Sequence, residues 1–542
     1  MCGIFAYLNK TISIDQLKHL SSLGSKRGPE SSVFYSLEED LHFGFNRLAI
    51  NGLNEESNQP IIHKHYSLIC NGEIFNYKEL STPYVLNTQS DCEVILHLYE
   101  EYGVEAFEKL DGEFAFILYD ALKKELLVVR DAYGIKPLYQ KISNSAYTFS
   151  SVLEAVTHEE TSEITQVTPG TFTLFKYDKG FKKAEQRKYD VLNKSYPEMS
   201  KEDHYKQLYH LLEDAVLKRI TTCERPLCCL LSGGLDSSIV CAIASKYYRN
   251  KGETLTTYSI GMKGGEDLYY ANMVAKHIKS NHHEVVVTQE DFIQSIPHVI
   301  RDIESYDTTT VRASVGNWLI GKHIKDTSDF KVVLNGDGAD ELMGGYLYFN
   351  QCRSHNDFHD ECIRLLNNIH YFDVLRSDRC IASHGLESRT PFLDKDLVPY
   401  YLSIPIEFRK GSTEKEFIRY AIQQTASDLL PYSILWRKKE AFSDGVSSLQ
   451  KPWFKMIQDT LVDYNNTTEE LTNEQCYYRD LFVQYFGNHT NIIPYYWMPK
   501  FVDTNDPSAR TLTHYSSINE YFYRMKYFLT DMFMYRFRQL IF

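Results

Sequence analysis

The stretch "RPLCCLLSGGLDSSIVCAIASKYY" (residues 225–248) joins an apolar run, a glycine turn and a longer run that favours a helix. The apolar run is typical of a buried strand, so the stretch predicts a strand, a turn and a helix in succession. Such a turn allows backbone N–H groups and the positive end of the helix dipole to hold phosphate oxygens. We therefore expect an anion site here, although a purely structural turn has the same local pattern.

The residues of this turn exclude two common classes of site. The turn lacks the Gly-Lys-Ser/Thr ending of a Walker P-loop. Its first serine precedes both glycines, which excludes the G-x-S-x-G turn of the α/β-hydrolases. A phosphate-binding turn of another class is the interpretation that remains.

The chain that follows keeps alternating between strand and helix patterns. Strands are indicated by "TLTTYSIGM" (254–262), "HHEVVV" (282–287) and the start of "FKVVLNGDGADE" (330–341), and a helix by "YYANMVAKHIKS" (269–280). This alternation predicts a parallel sheet with crossover helices. Ligands of such sheets bind beyond the carboxyl ends of the strands.

The chain that precedes the stretch has a different pattern. Up to about residue 190 it shows short alternating runs such as "ELLVVRD" (125–131) and "GTFTLFKY" (170–177), which predict a largely antiparallel β arrangement with a few helices. Pro197 and a Ser200-x-x-Asp203 capping pattern then mark a linker and the start of an amphipathic helix. Single cores rarely exceed about 250 to 300 residues, so the 542 residues predict at least two domains.

Composition excludes several classes of partner. The chain has 58 Lys and Arg against 72 Asp and Glu, a net charge of −14, and therefore lacks the basic excess of a nucleic-acid-binding protein. No apolar stretch is long enough to span a membrane, and the N-terminus lacks a secretion signal. We expect no nucleic-acid or membrane partner and a cytoplasmic location.

Cysteine and histidine usage gives no sign of a disulfide framework or a zinc site. The eleven cysteines include no C-x-x-C pair, which predicts reduced thiols. His282 and His283 are adjacent, but without further spaced ligands we interpret them as the boundary between a helix and a strand.

Cys2 becomes the first residue if the initiator methionine is removed. It would then carry both a thiol and an α-amine, and an amine with a pKa near 7.7 to 8.0 can accept the thiol proton. Taken alone, Cys2 is better explained as a small second residue of no special role. The residues that follow favour a nucleophile.

A set of residues suited to an α-amino acid amide follows within the first hundred positions. Arg47 can hold a carboxylate by a two-pronged contact, and Glu73 and Asp91 can hold an ammonium group. The Asn71 amide and the Gly72 N–H can stabilise the oxyanion formed when a thiol attacks a side-chain amide.

Seven segments of the first part carry a resemblance to a known family. In order they are "MCGIF", "KRGPESS", "NRLAI", "NGEIFNYKEL", "SDCEVILHLYEEYG", "LDGEFAFILYD" and "RDAYGIKPLY". Their order and spacing resemble the glutaminase domain of class II glutamine amidotransferases, which are N-terminal-nucleophile (Ntn) hydrolases. The resemblance implies an αββα sandwich, with Cys2 as nucleophile and Asn71 and Gly72 as oxyanion donors.

The second part resembles the ATP pyrophosphatases, which split ATP between the α and β phosphates and form acyl-adenylates. The resemblance starts from "LLSGGLDSS" (230–238) and narrows to the glutamine-hydrolysing asparagine synthetases through "ESYDTTTVRAS" (304–314), "VLNGDGADELMGGYLYF" (333–349), "ASHGLESRTPFLDKDL" (382–397) and "WRKKEAFSDGV" (436–446). It extends from Met1 to about Ser516. It implies a glutaminase domain at 1–195, a parallel-sheet α/β synthetase domain with a helical surround at 196–516, and an aromatic-rich extension at 517–542.

The resemblance also assigns roles in the second part. The residues implied to bind ATP or pyrophosphate are Leu231, Ser232, Gly233, Gly234, Asp236, Ser237, Ile260, Asn335, Gly336 and Lys439. The residues implied to contact the phosphates and the aspartyl intermediate are Thr309, Thr310 and Arg312, and those implied to hold Mg²⁺ are Asp236 and Asp340. Arg312 and Asp337 are also implied to be catalytic.

The chain departs from the family at "NGDGADE" (335–341), where the family pattern is Ser-Gly-Glu-Gly-Ser-Asp-Glu. Asp337 therefore stands in place of a glutamate that is thought to assist attack of ammonia on the adenylate. The charge is kept and the reach is shorter by one methylene. We expect the loop to lie closer to the intermediate, with slow synthesis and wasted glutamine as the alternative.

The function implied is hydrolysis of glutamine to glutamate and ammonia, and joining of aspartate to ATP as β-aspartyl-AMP, which the ammonia attacks. ATP is a substrate, and a homodimer is an assembly that the family allows. Ammonia would be protonated in neutral water, so it must cross a shielded passage. Two alternatives remain. One is another acyl-adenylating enzyme whose first domain is only a scaffold, and the presence of Cys2 argues against it. The other is a catalytically inactive sensor of glutamine or ATP, which would be expected to lack some of the charged site residues.

The extension "SINEYFYRMKYFLTDMFMYRFRQLIF" (517–542) lies beyond the resemblance. Apolar residues at 518, 522, 525, 529 and 532 fit one helical face. Arg524, Lys526 and Asp531 make it a poor membrane span. We expect it to pack on the second domain or on a partner subunit.

Overall fold

The computed structural model describes residues 1–9, 11–143, 146–157, 163–189, 196–466 and 470–512. Its first part holds two six-stranded antiparallel sheets, ordered β10-β8-β9-β1-β3-β2 and β12-β11-β7-β6-β5-β4. The strands are β1 (Gly3–Leu8), β2 (Ser31–Glu38), β3 (Leu41–Arg47), β4 (Ile61–His63), β5 (Tyr66–Ile74), β6 (Gly112–Asp120), β7 (Glu125–Arg130), β8 (Tyr139–Ser143), β9 (Ala146–Ser150), β10 (Glu163–Gln166), β11 (Thr171–Tyr177) and β12 (Phe181–Lys188). Three helices accompany them: α1 (Ile14–Ser22), α2 (Tyr77–Leu80) and α3 (Val94–Tyr102).

Strand β6 shows why the two sheets form a sandwich. Successive side chains of a strand point to opposite faces. Ala115 and Ile117 of β6 pack into the core between the sheets. Phe114, Phe116 and Leu118 pack into a second core, on the other face of the same sheet. Both faces of the strand are therefore buried, and the sheet needs a covering layer on each side.

The covering layers are helices. Helix α3 packs Val94 and Leu98 into the outer core of the second sheet, and α1 packs Leu17 and Leu20 against Phe5 on the outer face of the first. The four layers confirm the αββα sandwich that the resemblance implied.

The second part is built on a five-stranded parallel sheet, ordered β15-β14-β13-β16-β17. Its strands are β13 (Leu227–Leu230), β14 (Thr256–Met262), β15 (Asn281–Val287), β16 (Val332–Leu334) and β17 (Glu387–Arg389). The chain moves outward from β13 through β14 to β15 and then returns to the other side of β13. The strand order therefore reverses between β13 and β16, which is where ligands of parallel sheets bind.

Helices surround this sheet, as the resemblance implied. They are α4 (Lys201–Thr221), α5 (Leu235–Asn250), α6 (Glu266–Ile278), α7 (Gln289–Ile303), α8 (Thr308–Thr327), α9 (Ala339–Met343), α10 (His355–Asn368), α11 (Asp373–Ala382), α12 (Leu397–Ser403), α13 (Ile406–Arg409), α14 (Glu416–Thr425), α15 (Tyr432–Leu435), α16 (Phe442–Gly445), α17 (Trp453–Thr460) and α18 (Asn473–Phe486). Ser200 caps α4 by accepting a hydrogen bond from the Asp203 N–H at 3.1 Å, which confirms the capping pattern.

The two parts share one apolar cluster. It includes Met1, Leu48 and Ile50 from the first part and Leu231 and Leu334 from the second. Buried ion pairs add to this contact, among them Arg27–Asp378 at 2.7 Å and Arg219–Glu113 at 3.0 Å. Met1, which precedes Cys2, also pairs with Glu387 of β17 at 3.5 Å, so the residues next to Cys2 contact the parallel sheet.

Several predictions from composition can be compared with the structure. In the part of the chain that the structure describes, no helix has the length and apolar character needed to cross a bilayer. All eleven cysteines lie in that part and are free thiols. His282 bonds Thr257 and Ser259 on the neighbouring strand, as a strand residue would. Residues 190–195, where the domain boundary was placed, and the extension at 517–542 lie outside the described residues.

Candidate active sites

The first site centres on Cys2, at the start of β1, beside Asn71 on β5. The Cys2 N–H donates to Asn71 Oδ1 at 3.0 Å, and the thiol lies 3.6 Å from the Leu48 carbonyl oxygen. Burial raises the pKa of the Cys2 thiol to about 11, so the thiol is neutral and needs a base to become a nucleophile. Met1 precedes Cys2 in this chain, and its α-amino nitrogen lies 3.5 Å from Glu387.

Asn71 has a donor with no partner in the part of the chain that the structure describes. Its Nδ2 atom is buried and unpaired there, whereas its Oδ1 accepts from the Cys2 nitrogen. Leaving such a donor unpaired costs about 1–3 kcal/mol, which an oxyanion beside the thiol would recover. Gly72 follows on the same strand, and a Cβ there would lie 2.3 Å from the Glu113 carbonyl oxygen, so no larger residue fits.

Glu73 and Asp91 form a pair of buried carboxyl groups beside this donor. The pKa of Glu73 is raised well above its ordinary value, chiefly by burial and also by the negative charge of the neighbouring Asp91. Burial also raises the pKa of Asp91 to about 6. Glu73 accepts a hydrogen bond from Asn51 Nδ2. It also forms an ion pair with Arg389, whose Nη2 lies 3.2 Å away. The surroundings therefore disfavour the ionised forms of both groups, and the ammonium group of an amino acid would supply positive charge that favours them.

Arg47 lies at the end of β3 and is anchored to the following loop. Its Nη1 donates to the Asn54 carbonyl oxygen at 3.0 Å, and its Nη2 donates to the Gly52 carbonyl oxygen. A guanidinium has five donors, so these contacts fix its position and leave donors for a carboxylate.

The second site is built on the turn between β13 and α5. Ser232 Oγ lies 3.0 Å from Ser237 Oγ and accepts from the Gly234 N–H at 3.3 Å. Gly233 has φ of +72°, and a Cβ there would lie 2.4 Å from the Ala271 nitrogen. Only glycine fits this position. The turn therefore presents backbone donors at the start of a 16-residue helix, as the sequence predicts.

A cavity opens at the carboxyl ends of β13, β14 and β16. Of the residues predicted to bind ATP, magnesium or the intermediate, it is lined by Leu231, Ser232, Gly234, Asp236, Ser237, Ile260, Thr309, Asn335, Gly336, Asp337, Asp340 and Lys439. The Asn335 side chain itself is directed away, because its Nδ2 donates to Ser377 and Ser388. Gly233, Thr310 and Arg312 are not among the residues that line the cavity.

Asp236 and Asp340, the two predicted magnesium ligands, share one cation. Lys415 Nζ lies 2.5 Å from Asp236 Oδ2 and 2.5 Å from Asp340 Oδ1, and Lys439 pairs with the other oxygen of Asp340. Burial opposes ionisation of Asp340, but the two lysines outweigh it and hold its pKa well below the ordinary value. Two carboxylates near one point suit Mg²⁺, which prefers oxygen ligands, so the residues present fit this ion.

Asp337 is held by one oxygen only. Arg376 Nη2 lies 3.0 Å from Asp337 Oδ1 and 2.9 Å from Asp373 Oδ1. Asp337 Oδ2 is buried and has no hydrogen-bond partner among the described residues. The carboxylate is therefore oriented by Arg376 and keeps a free oxygen on a residue that lines the cavity.

Thr309, Thr310 and Arg312 are not brought together as one group. Thr309 lines the cavity, whereas the hydroxyl and N–H of Thr310 both bond Asp307, the residue that caps α8. Arg312 is paired with Glu474 at 2.6 Å and with Asp506 at 2.8 Å, and it lines a separate cavity. The expected contact of Arg312 and Thr310 with the reacting groups is not supported by this geometry.

Four residues of these sites were missed by reasoning from the sequence: Asn51, Arg376, Arg389 and Lys415. Each reaches its carboxylate from a segment distant in sequence, such as the 179 positions between Asp236 and Lys415. No local pattern marks them. Arg389 lies within the segment 382–397 that carries the resemblance, but no role was assigned to it, and Lys415 lies outside all of those segments.

Both parts of the chain match families of known proteins. A glutamine amidotransferase domain family matches residues 1–202, and an asparagine synthase family matches residues 207–357 and 350–497. Proteins described as "Asparagine synthetase [glutamine-hydrolyzing]" from Rattus norvegicus and Gallus gallus are 38% identical to this chain, and that from Homo sapiens is 37% identical. Each match covers 95% of this chain and 99% of the relative.

Proposed function

Because this chain belongs to the glutamine-hydrolysing asparagine synthetases, we propose that its two sites carry out the two half-reactions of that family with the residues assigned below. The enzyme is a carbon–nitrogen ligase that takes nitrogen from glutamine and uses ATP to convert aspartate to asparagine. Aspartate is activated as β-aspartyl-AMP, and the other products are glutamate, AMP and pyrophosphate.

Glutamine is held in the first site by charge. We assign its carboxylate to Arg47 and its ammonium group to Glu73 and Asp91. The ammonium group would supply the positive charge that these buried acids lack, and would thereby favour their ionised forms. The side-chain amide is then directed toward Cys2, whose position is fixed by the contact with Asn71.

The Cys2 thiol then attacks the amide carbon of glutamine. Removal of Met1 would leave the free α-amine at the nitrogen that now donates to Asn71 Oδ1, and this amine takes the thiol proton. The oxyanion is stabilised by Asn71 Nδ2 and the Gly72 N–H. Collapse of the intermediate releases ammonia, and water then hydrolyses the thioester to glutamate.

Ammonia must reach the second site without being protonated by bulk water. We assign its path to the apolar cluster shared by the two parts, which joins Leu48 and Ile50 to Leu231 and Leu334. An apolar path disfavours the charged ammonium ion and keeps the nitrogen nucleophilic. The buried pair of Glu73 and Arg389 lies at the junction of the two parts.

Activation of aspartate takes place at the turn between β13 and α5. The N–H groups at the start of α5 hold phosphate oxygens, and Lys439 offsets the charge that develops on pyrophosphate. Asp236 and Asp340 would hold Mg²⁺, which when bound supplies further positive charge for the phosphates. The free oxygen of Asp337 accepts a proton from the attacking ammonia or holds the adenylate, while Arg376 keeps the carboxylate in place.

The observation that carries this assignment is the unpaired, buried amide nitrogen of Asn71 beside Cys2. The test is mass spectrometry of the products from glutamine, aspartate, ATP and Mg²⁺. We expect AMP release to depend strictly on aspartate and asparagine to form with either glutamine or an ammonium salt. AMP release with a different acid, or no glutamine hydrolysis at all, would favour the scaffold or sensor alternatives.

The division at 195/196, a cytoplasmic location and a homodimer are also proposals. Sedimentation equilibrium of the purified chain measures the assembly directly. A mass near twice that of one chain supports the dimer, and a single-chain mass at all concentrations contradicts it.

A further inference from the structure

A second cluster of metal-binding side chains lies in the first part, outside both active sites. It consists of His63 at the end of β4, Glu93 immediately before α3 and His97 on α3. One ligand atom from each residue lies within 4.8 Å of the others. Glu93 is fully buried and His97 is 7% exposed, so the cluster is not a group of solvated surface side chains.

The two histidines face each other across the junction of strand and helix. Their ring centroids are 4.2 Å apart, and His97 Nε2 lies 3.4 Å from Glu93 Oε1. Glu93 and His97 are four positions apart, which places both on one side of the helix start. A cation between them would replace the contact between His97 Nε2 and Glu93 Oε1.

Glu93 is oriented by hydrogen bonds from the loop that precedes it. The Asn87 and Thr88 N–H groups lie 2.7 Å and 2.6 Å from its two oxygens, and Asn87 Nδ2 donates to Oε1 at 3.2 Å. A carboxylate has about four lone-pair positions, so these three bonds orient Glu93 and leave the position toward His97 for a metal.

Glu100 completes the surroundings of His63. Its Oε2 lies 3.3 Å from His63 Nε2, near enough to orient the ring by a hydrogen bond. Carboxylates orient metal-binding histidines in this way in many metal sites. Lys64 pairs with the other oxygen of Glu100 at 2.5 Å, which holds that carboxylate at the edge of the cluster.

We propose that His63, Glu93 and His97 bind a divalent cation of the zinc class, with the remaining coordination positions filled by water. Two imidazoles and one carboxylate are ligands that suit Zn²⁺, Co²⁺ and Ni²⁺ better than Mg²⁺ or Ca²⁺, which prefer oxygen. This site therefore differs in metal preference from the oxygen-only pair of Asp236 and Asp340.

A metal ion in this cluster would connect three segments of the first part of the chain. Glu93 holds residues 87 and 88 through their N–H groups, and the same loop continues to Asp91 in the glutamine site. A bound ion would join β4 to this loop and to the start of α3. Because it binds the folded chain through residues distant in sequence, it should raise the melting temperature of the enzyme. This inference does not depend on the proposed function.

The test is zinc binding by the full chain after removal of metals with a chelator. Isothermal titration with ZnCl₂ should show a site in the wild type that His63→Gln weakens by at least about tenfold. His65→Gln is the matched control, because His65 follows β4 but pairs with Asp120, 3.6 Å away, and not with the cluster. We expect this variant to bind zinc as the wild type does.

The cobalt spectrum of the wild type provides a second measurement, which does not depend on how the variants fold. Co²⁺ in the proposed site should give visible d–d bands without a thiolate-to-cobalt charge-transfer band, because no cysteine belongs to the cluster. His63→Gln should lose these bands and also the rise in melting temperature with Zn²⁺. Equal zinc affinity in His63→Gln and the wild type, or cobalt spectra dominated by thiolate, would overturn the proposal.

Discussion

Replacing Asn71 with alanine separates the catalytic role of this residue from its contribution to stability. The substitution removes a buried donor next to Cys2 that has no hydrogen-bond partner among the described residues. Loss of one oxyanion donor lowers kcat by about 10²- to 10³-fold, and we expect that loss for glutamine hydrolysis. Synthesis from ammonium salts should stay within a factor of about two, because it does not use the first site.

The same structure predicts a small change in stability. The substitution removes the hydrogen bond from the Cys2 N–H, at 3.0 Å, which contributes about 0.5–1.5 kcal/mol. It also removes an unpaired buried amide whose desolvation costs about 1–3 kcal/mol. The two effects oppose each other, so the free energy of unfolding should change by no more than about 1 kcal/mol.

A buried asparagine with both ends paired provides the control. Asn46 Nδ2 donates to the Ser21 carbonyl oxygen at 2.9 Å, and Asn46 Oδ1 accepts from Ser32 Oγ at 2.9 Å. Asn46→Ala leaves those partners unsatisfied and should destabilise the chain by about 2 kcal/mol or more. Glutaminase kinetics and urea unfolding of both variants test the contrast. Glutamine hydrolysis by Asn71→Ala within threefold of wild type would refute the role of Asn71 as an oxyanion donor.

Three further predictions concern single side chains. Cys2→Ala should abolish glutamine-dependent synthesis and leave ammonia-dependent synthesis intact. Product assays with each nitrogen source test this. Loss of both activities in a folded variant would show that the two sites are not separable. Asp337→Ala should raise the ratio of glutamate to asparagine, whereas Asp337→Glu should stay near wild type; unchanged asparagine formation in Asp337→Ala would remove any catalytic role for this residue. Burial raises the pKa of Asp91 to about 6, so the carboxylate that binds ammonium is lost as the pH falls through 6. KM for glutamine should therefore rise below pH 6, and an acid-side profile that is unchanged in Asp91→Asn would contradict this assignment.

Local sequence predicted the parts of the fold that depend on local chemistry. The turn between β13 and α5 needs Gly233 at a positive φ and small, hydrogen-bonding neighbours, and all of these lie within one short segment. The capping serine at 200 is equally local. The two-sided burial of β6, in contrast, depends on which sheet and helix cover it. The family resemblance rather than residue spacing provided the αββα arrangement.

The charged partners of the sites could not be predicted from local pattern. Lys415 bridges Asp236 and Asp340 only because α14, which follows it, packs on α4. Arg389 reaches Glu73 only because β17 is an edge strand at the junction of the two parts. The partners of Arg312 were equally out of reach of local pattern. The family resemblance implied contact with the intermediate, and in the structure Glu474 and Asp506 from later segments hold Arg312 at another cavity.

Transfer of nitrogen between the two sites is the central claim, and isotope labelling measures it directly. The enzyme is given glutamine labelled with nitrogen-15 in its amide, together with aspartate, ATP, Mg²⁺ and a large excess of unlabelled ammonium chloride. A shielded path between Cys2 and the adenylate predicts asparagine that keeps far more of the label than the bulk ammonia pool contains. Asparagine labelled only to the extent of the bulk pool would contradict transfer within the protein.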